Sequence, residues 1–128
     1  MSLAEPPTVV IVEDEEVVSL FLRECLCEAG FQVQTFPDAE TALQVDDDSP
    51  IDVAVIDVGL PHQTGDELAR QWRARHPNLA IILATGYDEG RFEKIFASDA
   101  RTRVLAKPFD IPRLLLQFDA LGVYPSPH

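Results

Sequence analysis

Cysteine is scarce in this 128-residue sequence, which contains only Cys25 and Cys27. Two positions apart on a predicted helix, these thiols would point to different faces, so no disulfide is expected between them. We interpret Cys25 as a small core residue and Cys27 as a partly exposed thiol. This sparse use of cysteine fits a reducing, cytoplasmic location.

Basic residues are also few: ten lysines and arginines stand against 22 aspartates and glutamates, for a net charge of −12. A chain this acidic is not expected to bind nucleic acid or an anionic membrane through its overall charge. The sequence has no apolar run long enough to span a membrane and no visible secretion signal. Its 46% hydrophobic content favours one globular domain.

Strand-like and helix-like segments alternate five times along the chain. The predicted strands are 8–12, 31–36, 52–56, 79–84 and 103–106, and the predicted helices are 15–29, 38–45, 65–75, 89–98 and 110–121. This order predicts an α/β fold, a doubly wound parallel sheet of five strands with helices on both faces. The first, third and fourth strands are continuous apolar runs expected at the centre, whereas the alternating second strand is expected at an edge.

The first predicted helix carries an apolar stripe that should face the core, formed by Val18, Phe21, Leu22, Cys25 and Ala29. Gly30 is a natural residue to end it. The acidic run 46–48 is interpreted as a solvated turn, because the downstream glutamate of a calcium loop is missing.

Polar residues follow four of the predicted strands, at the end where parallel sheets bind ligands. They are Glu13, Asp14, Asp57, Thr85 and Lys107, and Gly86 and Pro108 follow the last two directly. Three carboxylates gathered at one edge repel each other, and a divalent cation such as Mg²⁺ or Mn²⁺ would relieve that repulsion. A carboxylate can also attack phosphorus, while a lysine and a hydroxyl contact the phosphoryl oxygens. Gly86 has no side chain, so it would not block the approach of a phosphoryl group to Thr85.

Each of these signals has an ordinary structural alternative. An acidic residue after a strand is more often a turn former or helix cap, and Glu13-Asp14 could simply cap the first helix. Thr85 could be only a loop hydroxyl, and Lys107-Pro108 only the end of a strand. The specificity therefore lies in the joint pattern, with each residue type at the matching strand end.

The sequence resembles the receiver domain of two-component response regulators over about residues 7–121. The matching stretches are VVIVEDEE, VAVIDVGLPHQTG, IILATG and VLAKPF. The resemblance implies a flavodoxin-like (βα)₅ fold with strand order 2-1-3-4-5. It would leave residues 1–6 as an N-terminal leader and 122–128 as a C-terminal tail, with no effector domain in the chain.

The resemblance also implies a role for each matching residue. Asp57 is similar to the phosphoacceptor, Asp14 to a direct Mg²⁺ ligand, and Glu13 to the acid that holds the metal through water. The backbone carbonyl of Gly59 matches the third ligand position. The remaining matches are Thr85 with Gly86 as the switch hydroxyl and its neighbour, Lys107 as the phosphoryl-binding lysine, and Pro108 after a cis peptide bond.

Such a receiver is expected to take its phosphoryl group from a sensor histidine kinase or a histidine phosphotransfer protein. Beyond its own phosphorylation and dephosphorylation it would not be an enzyme. Phosphorylation should switch the surface formed by the fourth strand, fourth helix and fifth strand. The chain is expected to be a monomer, or a weak dimer through the face of the fourth helix, fifth strand and fifth helix.

Two departures from the family pattern keep alternatives open. Val104 stands where many receivers carry an aromatic residue, and Gly59 where a larger side chain is common. One alternative is a receiver-like interaction module that works without phosphorylation. A less favoured one is an aspartate-nucleophile phosphatase of the haloacid dehalogenase type, which would need an aspartate at position 59.

Overall fold

All ten predicted elements are present in the computed structural model, which describes residues 5–45 and 49–126. The strands are β1 Thr8–Val12, β2 Gln32–Phe36, β3 Val53–Asp57, β4 Ala80–Thr85 and β5 Thr102–Ala106. The helices are α1 Glu16–Ala29, α2 Ala39–Leu43, α3 Gly65–Arg75, α4 Glu89–Ile95 and α5 Ile111–Ala120. The acidic run predicted as a turn at 46–48 lies outside the described residues.

The strands form one parallel sheet in the order β2-β1-β3-β4-β5, so the predicted flavodoxin-like topology is confirmed. β1 and β4 are buried along their whole length, whereas β2 alternates and lies at an edge, as predicted. The order reverses between β1 and β3. In open sheets of this kind, ligands bind beyond the strand ends at that reversal.

Successive strand side chains point to opposite faces of the sheet, and this divides the core into two layers. Val10 and Ile56 pack under α3 and α4 with Trp72 and Phe92. On the other face, Val9 and Ile11 lie in a layer with residues of α1 and α5, including Leu26, Leu114 and Phe118.

Helix α1 corrects one prediction. Phe21, placed in the core stripe by its spacing, is 57% exposed, whereas Leu26 is fully buried. The buried line of α1 is Ser19, Leu22 and Leu26, at helical spacings of three and four residues. Phe21 lies about one helical step around from this line, so more than half of its side chain remains exposed.

Packing continues past residue 121. Val123 is buried with the α1 and α5 core layer, and the Ser126 N–H donates to the Gly30 carbonyl at 3.0 Å. Gly30 has φ +108°, and a Cβ there would lie 2.4 Å from the Ser126 carbonyl oxygen. Glycine therefore both ends α1 and admits the chain after α5. Within the described ranges, no helix is long and apolar enough to cross a membrane.

Candidate functional site at the carboxyl edge of the sheet

Parallel pairing brings the ends of β1, β3, β4 and β5 to one edge. Asp57 is in register with Ala84, and Thr85 with Ala106. The Lys107 N–H donates to the Thr85 carbonyl at 2.8 Å, which ties the end of β5 to that of β4. The Lys107–Pro108 peptide bond is cis, as expected.

Three carboxylates meet at this edge. Glu13, Asp14 and Asp57 each offer an oxygen that lies within 4.8 Å of the other two. Glu13 is buried, Asp57 partly buried and Asp14 exposed. Burial raises the pKa of Glu13, and the negative charge of Asp57 raises it further. A set of oxygen ligands with one exposed member fits a hard divalent cation that keeps water in its coordination shell.

Lys107 supplies the positive charge of the site. Its Nζ lies 2.9 Å from Asp57 Oδ1 and 3.2 Å from Glu13 Oε1. Burial lowers the pKa of Lys107, but its hydrogen bond to Asp57 and the charges of Asp57 and Glu13 outweigh that effect and leave this pKa raised. The lysine is therefore charged at neutral pH. The sequence predicts Lys107 near a phosphoryl group but does not predict its pairing with Glu13, 94 residues away.

Thr85 is almost fully buried, and its hydroxyl is engaged within its own loop. It donates to the carbonyl oxygen of Tyr87 and accepts from the Tyr87 N–H at 3.2 Å. The exposed Tyr87 ring lies edge-to-face against the buried ring of Phe92 in α4, with centroids 6.2 Å apart. The Thr85 hydroxyl is therefore connected to α4 through Tyr87 and Phe92.

The loop after Asp57 packs closely against the backbone of that residue. The Gly65 N–H donates to the Val58 carbonyl at 3.0 Å, and a Cβ on Gly65 would lie 2.1 Å from the Asp57 carbonyl oxygen. Only glycine allows α3 to begin this close to β3. A Cβ on Gly59 would lie 3.8 Å from Asp57 Oδ2, in ordinary contact. A Cβ on Gly86 would meet no described atom within 4 Å.

The structure thus brings Glu13, Asp14, Asp57 and Lys107 into one cluster, with Gly59 beside it. Thr85 lies at the same edge, but its hydroxyl is bound to Tyr87. A partly buried cluster of carboxylates and an ammonium at the switch point of a doubly wound sheet is a class of site that can hold a metal ion beside an anionic group.

The chain belongs to the response regulator receiver domain family, whose sequence model matches residues 9–119. It is similar to the sensor kinase CckA of Brucella abortus, with 32% identity over 88% of this chain and 12% of that protein. It is also similar to the transcriptional regulatory protein PhoP of Escherichia coli, with 29% identity over 88% of this chain and 51% of that one. The chain therefore spans about half or less of the length of these relatives.

Solved structures share the fold. A sensor protein from Polaromonas sp. JS666 superposes with a TM-score of 0.78 and 29% identity, covering 91% of this chain and 96% of that one. Response regulator protein TrrA from Thermotoga maritima, solved in complex with Mg(2+)-BeF, has a TM-score of 0.78 and 25% identity, covering 90% and 98%. Receiver domains are phosphoacceptors of two-component signalling, rather than enzymes in the usual sense.

Proposed function

We propose that this receiver accepts a phosphoryl group on Asp57 in a reaction that depends on Mg²⁺. The observation that carries the proposal is the Lys107 ammonium, 2.9 Å from Asp57 Oδ1, next to three clustered carboxylates. In the transfer, an Asp57 oxygen would form a bond to phosphorus as the bond between phosphorus and the donor breaks. Lys107 is positioned to offset the negative charge of the phosphoryl oxygens.

Glu13, Asp14, Asp57 and the carbonyl of Gly59 would hold Mg²⁺, or Mn²⁺ in its place. When bound, the cation would offset the charge of the carboxylates and of the incoming phosphoryl group. Burial raises the pKa of Glu13, and repulsion from Asp57 adds to that rise. A cation would remove the repulsion, which supports this assignment. The Mg(2+)-BeF complex of the similar TrrA receiver supports it as well.

The phosphoryl donor would be a phosphohistidine on a sensor histidine kinase or a histidine phosphotransfer protein. In that reaction the phosphorus–nitrogen bond breaks and the imidazole leaves. The output would be a change in the β4–α4–β5 surface, since the Thr85 hydroxyl must leave the Tyr87 carbonyl to reach a phosphoryl oxygen. A monomer, or a weak dimer through α4, β5 and α5, fits the exposed Leu116 on α5.

The proposal is tested by incubating the protein with acetyl phosphate, with and without Mg²⁺, and weighing it intact. A single phosphoryl adduct that needs Mg²⁺ and is absent from Asp57→Asn is expected. Asp66→Asn, a carboxylate in the first turn of α3 outside the cluster, should behave like the native protein. An adduct that persists in Asp57→Asn would place the acceptor elsewhere.

Val104 favours one second candidate, an interaction module that works without phosphorylation, because this half-buried valine offers no aromatic ring to report on the site. Beryllofluoride with Mg²⁺ separates the two functions. Under the proposed function it should raise the melting temperature and change Trp72 fluorescence. No change in either, together with no adduct, would favour the module. Turnover of a phosphomonoester would instead point to the phosphatase, for which Gly59 lacks the second acid.

A further inference from the structure

The carboxyl-terminal end of α4, which lies at the amino end of the sheet, is held by several polar contacts. Just past the helix, Asp99 Oδ2 accepts from Arg73 Nε at 2.9 Å and from the Thr102 hydroxyl at 2.6 Å. Asp99 Oδ1 accepts from the Arg101 N–H at 2.9 Å. The Asp99 N–H donates to the carbonyl of the buried Phe96 at 2.9 Å. We call Arg73, Asp99, Arg101 and Thr102 the Asp99 network.

Arg73 connects the Asp99 network to the end of α3. Its Nη1 donates to the carbonyls of His76 at 3.2 Å and Pro77 at 3.1 Å, and its Nη2 to the Thr102 hydroxyl at 3.0 Å. All three guanidinium nitrogens therefore donate hydrogen bonds, and a planar guanidinium held in this way has a defined orientation. The carboxyl-terminal end of α4 is thus fixed to both α3 and the start of β5.

The amino-terminal end of α4 has fewer such contacts among the described residues. The helix begins after Asp88, which has φ 52° and whose side chain caps no described N–H. Residues 86–91 are all exposed, and a Cβ on Gly90 would meet no described atom within 4 Å. The chain just before this end is held by the Thr85 hydroxyl, which bonds to the backbone of Tyr87. The two ends of α4 therefore depend on different parts of the molecule.

We infer that α4 pivots about the Asp99 network when the Thr85 hydroxyl leaves Tyr87. The inference rests on the proposed function for its trigger, since phosphorylation of Asp57 would draw this hydroxyl away. Phe92 would transmit the movement, because its ring contacts that of Tyr87. The helix has seven residues and is about 10 Å long, so its displacement would grow with distance from the fixed end. The Asp99 network would confine the change to the amino-terminal end of α4.

Thr85→Val tests the pivot without phosphorylation, because it keeps the side-chain shape and removes the hydroxyl that holds Tyr87. Two amides report on the two ends, since those of Arg91 and Phe96 both donate to backbone carbonyls at 3.1 Å. Amide hydrogen exchange should quicken about tenfold at Arg91 and stay within about twofold at Phe96. The buried amides of β4 report on global unfolding and serve as the reference. Equal quickening at Arg91 and Phe96 would overturn the inference.

A matched pair of backgrounds tests the Asp99 network itself. Asp99→Ala breaks the network, whereas Asp52→Ala removes a carboxylate outside it that accepts from the Thr8 N–H at 2.7 Å. Adding Thr85→Val should quicken exchange at Phe96 about tenfold in Asp99→Ala but leave it within about twofold in Asp52→Ala. Each effect is measured within its own background, so a general loss of stability does not produce the difference. A Phe96 amide that does not respond in Asp99→Ala would show that the fixed end does not depend on this network.

Beryllofluoride with Mg²⁺, added to the native protein, separates the pivot from the proposed function. Exchange should change at Arg91 and not at Phe96, as in Thr85→Val. No change at any amide, together with a confined effect of Thr85→Val, would mean that only the proposed function fails. A change that reaches Phe96 in the native protein would overturn the pivot and leave the acceptor chemistry intact.

Discussion

The charged side chains at the two ends of the sheet differ in how they are paired. At the amino end, Asp99 accepts hydrogen bonds from the Arg73 guanidinium, the Thr102 hydroxyl and the Arg101 N–H, at 2.6 to 2.9 Å. At the carboxyl end, three carboxylates lie within 4.8 Å of each other, and Lys107 contacts two of them.

The pKa values reflect this contrast. Burial raises the pKa of Asp99, but the hydrogen bonds from Thr102, Arg73 and Arg101 outweigh it and leave this pKa below its usual range. The pKa of Glu13 is raised instead. The lowered pKa of Asp99 means that its ionised form stabilises the fold, whereas the raised pKa of Glu13 means that its ionised form costs stability at neutral pH. Four substitutions test this contrast, from the largest expected effect to the smallest.

Replacing Lys107 should have the largest effect. Lys107→Ala is expected to slow phosphorylation by acetyl phosphate about a hundredfold or more, because it removes the positive charge that, under the proposed function, would face the phosphoryl oxygens. The time course of the intact mass measures this rate. Lys94→Ala, an exposed lysine on α4, should leave it within about twofold. A Lys107→Ala rate near the native one would remove the basis for the role of this lysine.

Removing the charge of Asp99 at the amino end should lower the stability of the protein but not its rate of phosphorylation. Asp99→Asn is expected to lower the free energy of unfolding by roughly 1–3 kcal/mol at pH 7, because a partly buried ionic network loses its anion. Urea denaturation measures this loss, and the phosphorylation rate should not change.

The pH dependence follows from the sign of the shift. Because the folded pKa of Asp99 is lowered, its contribution is present above the ordinary carboxyl value and is lost as the pH falls through the folded pKa. The difference in the free energy of unfolding between Asp99→Asn and the native protein should therefore disappear at low pH. A gap that stays constant to low pH would show that the loss comes from packing rather than from charge.

Removing the charge of Glu13 at the carboxyl end should instead raise the free energy of unfolding. Without Mg²⁺, Glu13→Gln is expected to raise the free energy of unfolding at pH 7, because the ionised form of Glu13 costs stability there. The folded pKa of Glu13 is raised, so the native protein loses stability as the pH rises from about 4.5 through the folded value, and the variant does not.

Added Mg²⁺ should make the native protein more stable than Glu13→Gln, since cation binding should stabilise the native protein more than the variant. Thermal unfolding with EDTA and with Mg²⁺ measures both states. Destabilisation of Glu13→Gln in EDTA would mean that the ion pair with Lys107 outweighs the repulsion.

The smallest effect concerns the route from the site to α4. Tyr87→Ala removes the edge-to-face contact with Phe92 and should cost about 0.5–1.5 kcal/mol of local stability. Amide exchange should therefore quicken in α4 and remain unchanged in α3. Tyr124→Ala, equally exposed at 59%, is the matched control and should leave α4 unaffected. Equal exchange in both variants would argue against Tyr87 as a link.

Much of the fold could be predicted from local patterns, because apolar strand runs and helical spacing follow directly from the residues. The position of Phe21 could not. Spacing defines a broad apolar stripe on α1, but which edge of the stripe meets the sheet depends on how the helix lies across it. The contact of Ser126 with Gly30 was missed for a similar reason, since no local pattern connects residues so far apart.

For the site, residue types at strand ends predict that acids and a lysine share one edge, because parallel strands end together. Individual side-chain partners depend on rotamers that the sequence does not define. The bond from Thr85 to the Tyr87 carbonyl and the second partner of Lys107, Glu13, therefore emerged only in three dimensions.

Gly65 has a consequence for how this sequence can vary. Since a Cβ at this position would lie 2.1 Å from the Asp57 carbonyl oxygen, no rotamer of any other residue relieves the overlap. A library randomised over residues 59–65 and sorted only for folding should therefore return glycine at 65 and many residues at 59. His62, at φ 66°, should give way mainly to glycine, asparagine and aspartate. The spacing from Asp57 to Gly65 would then be maintained by backbone geometry alone, even in related sequences that are not phosphorylated.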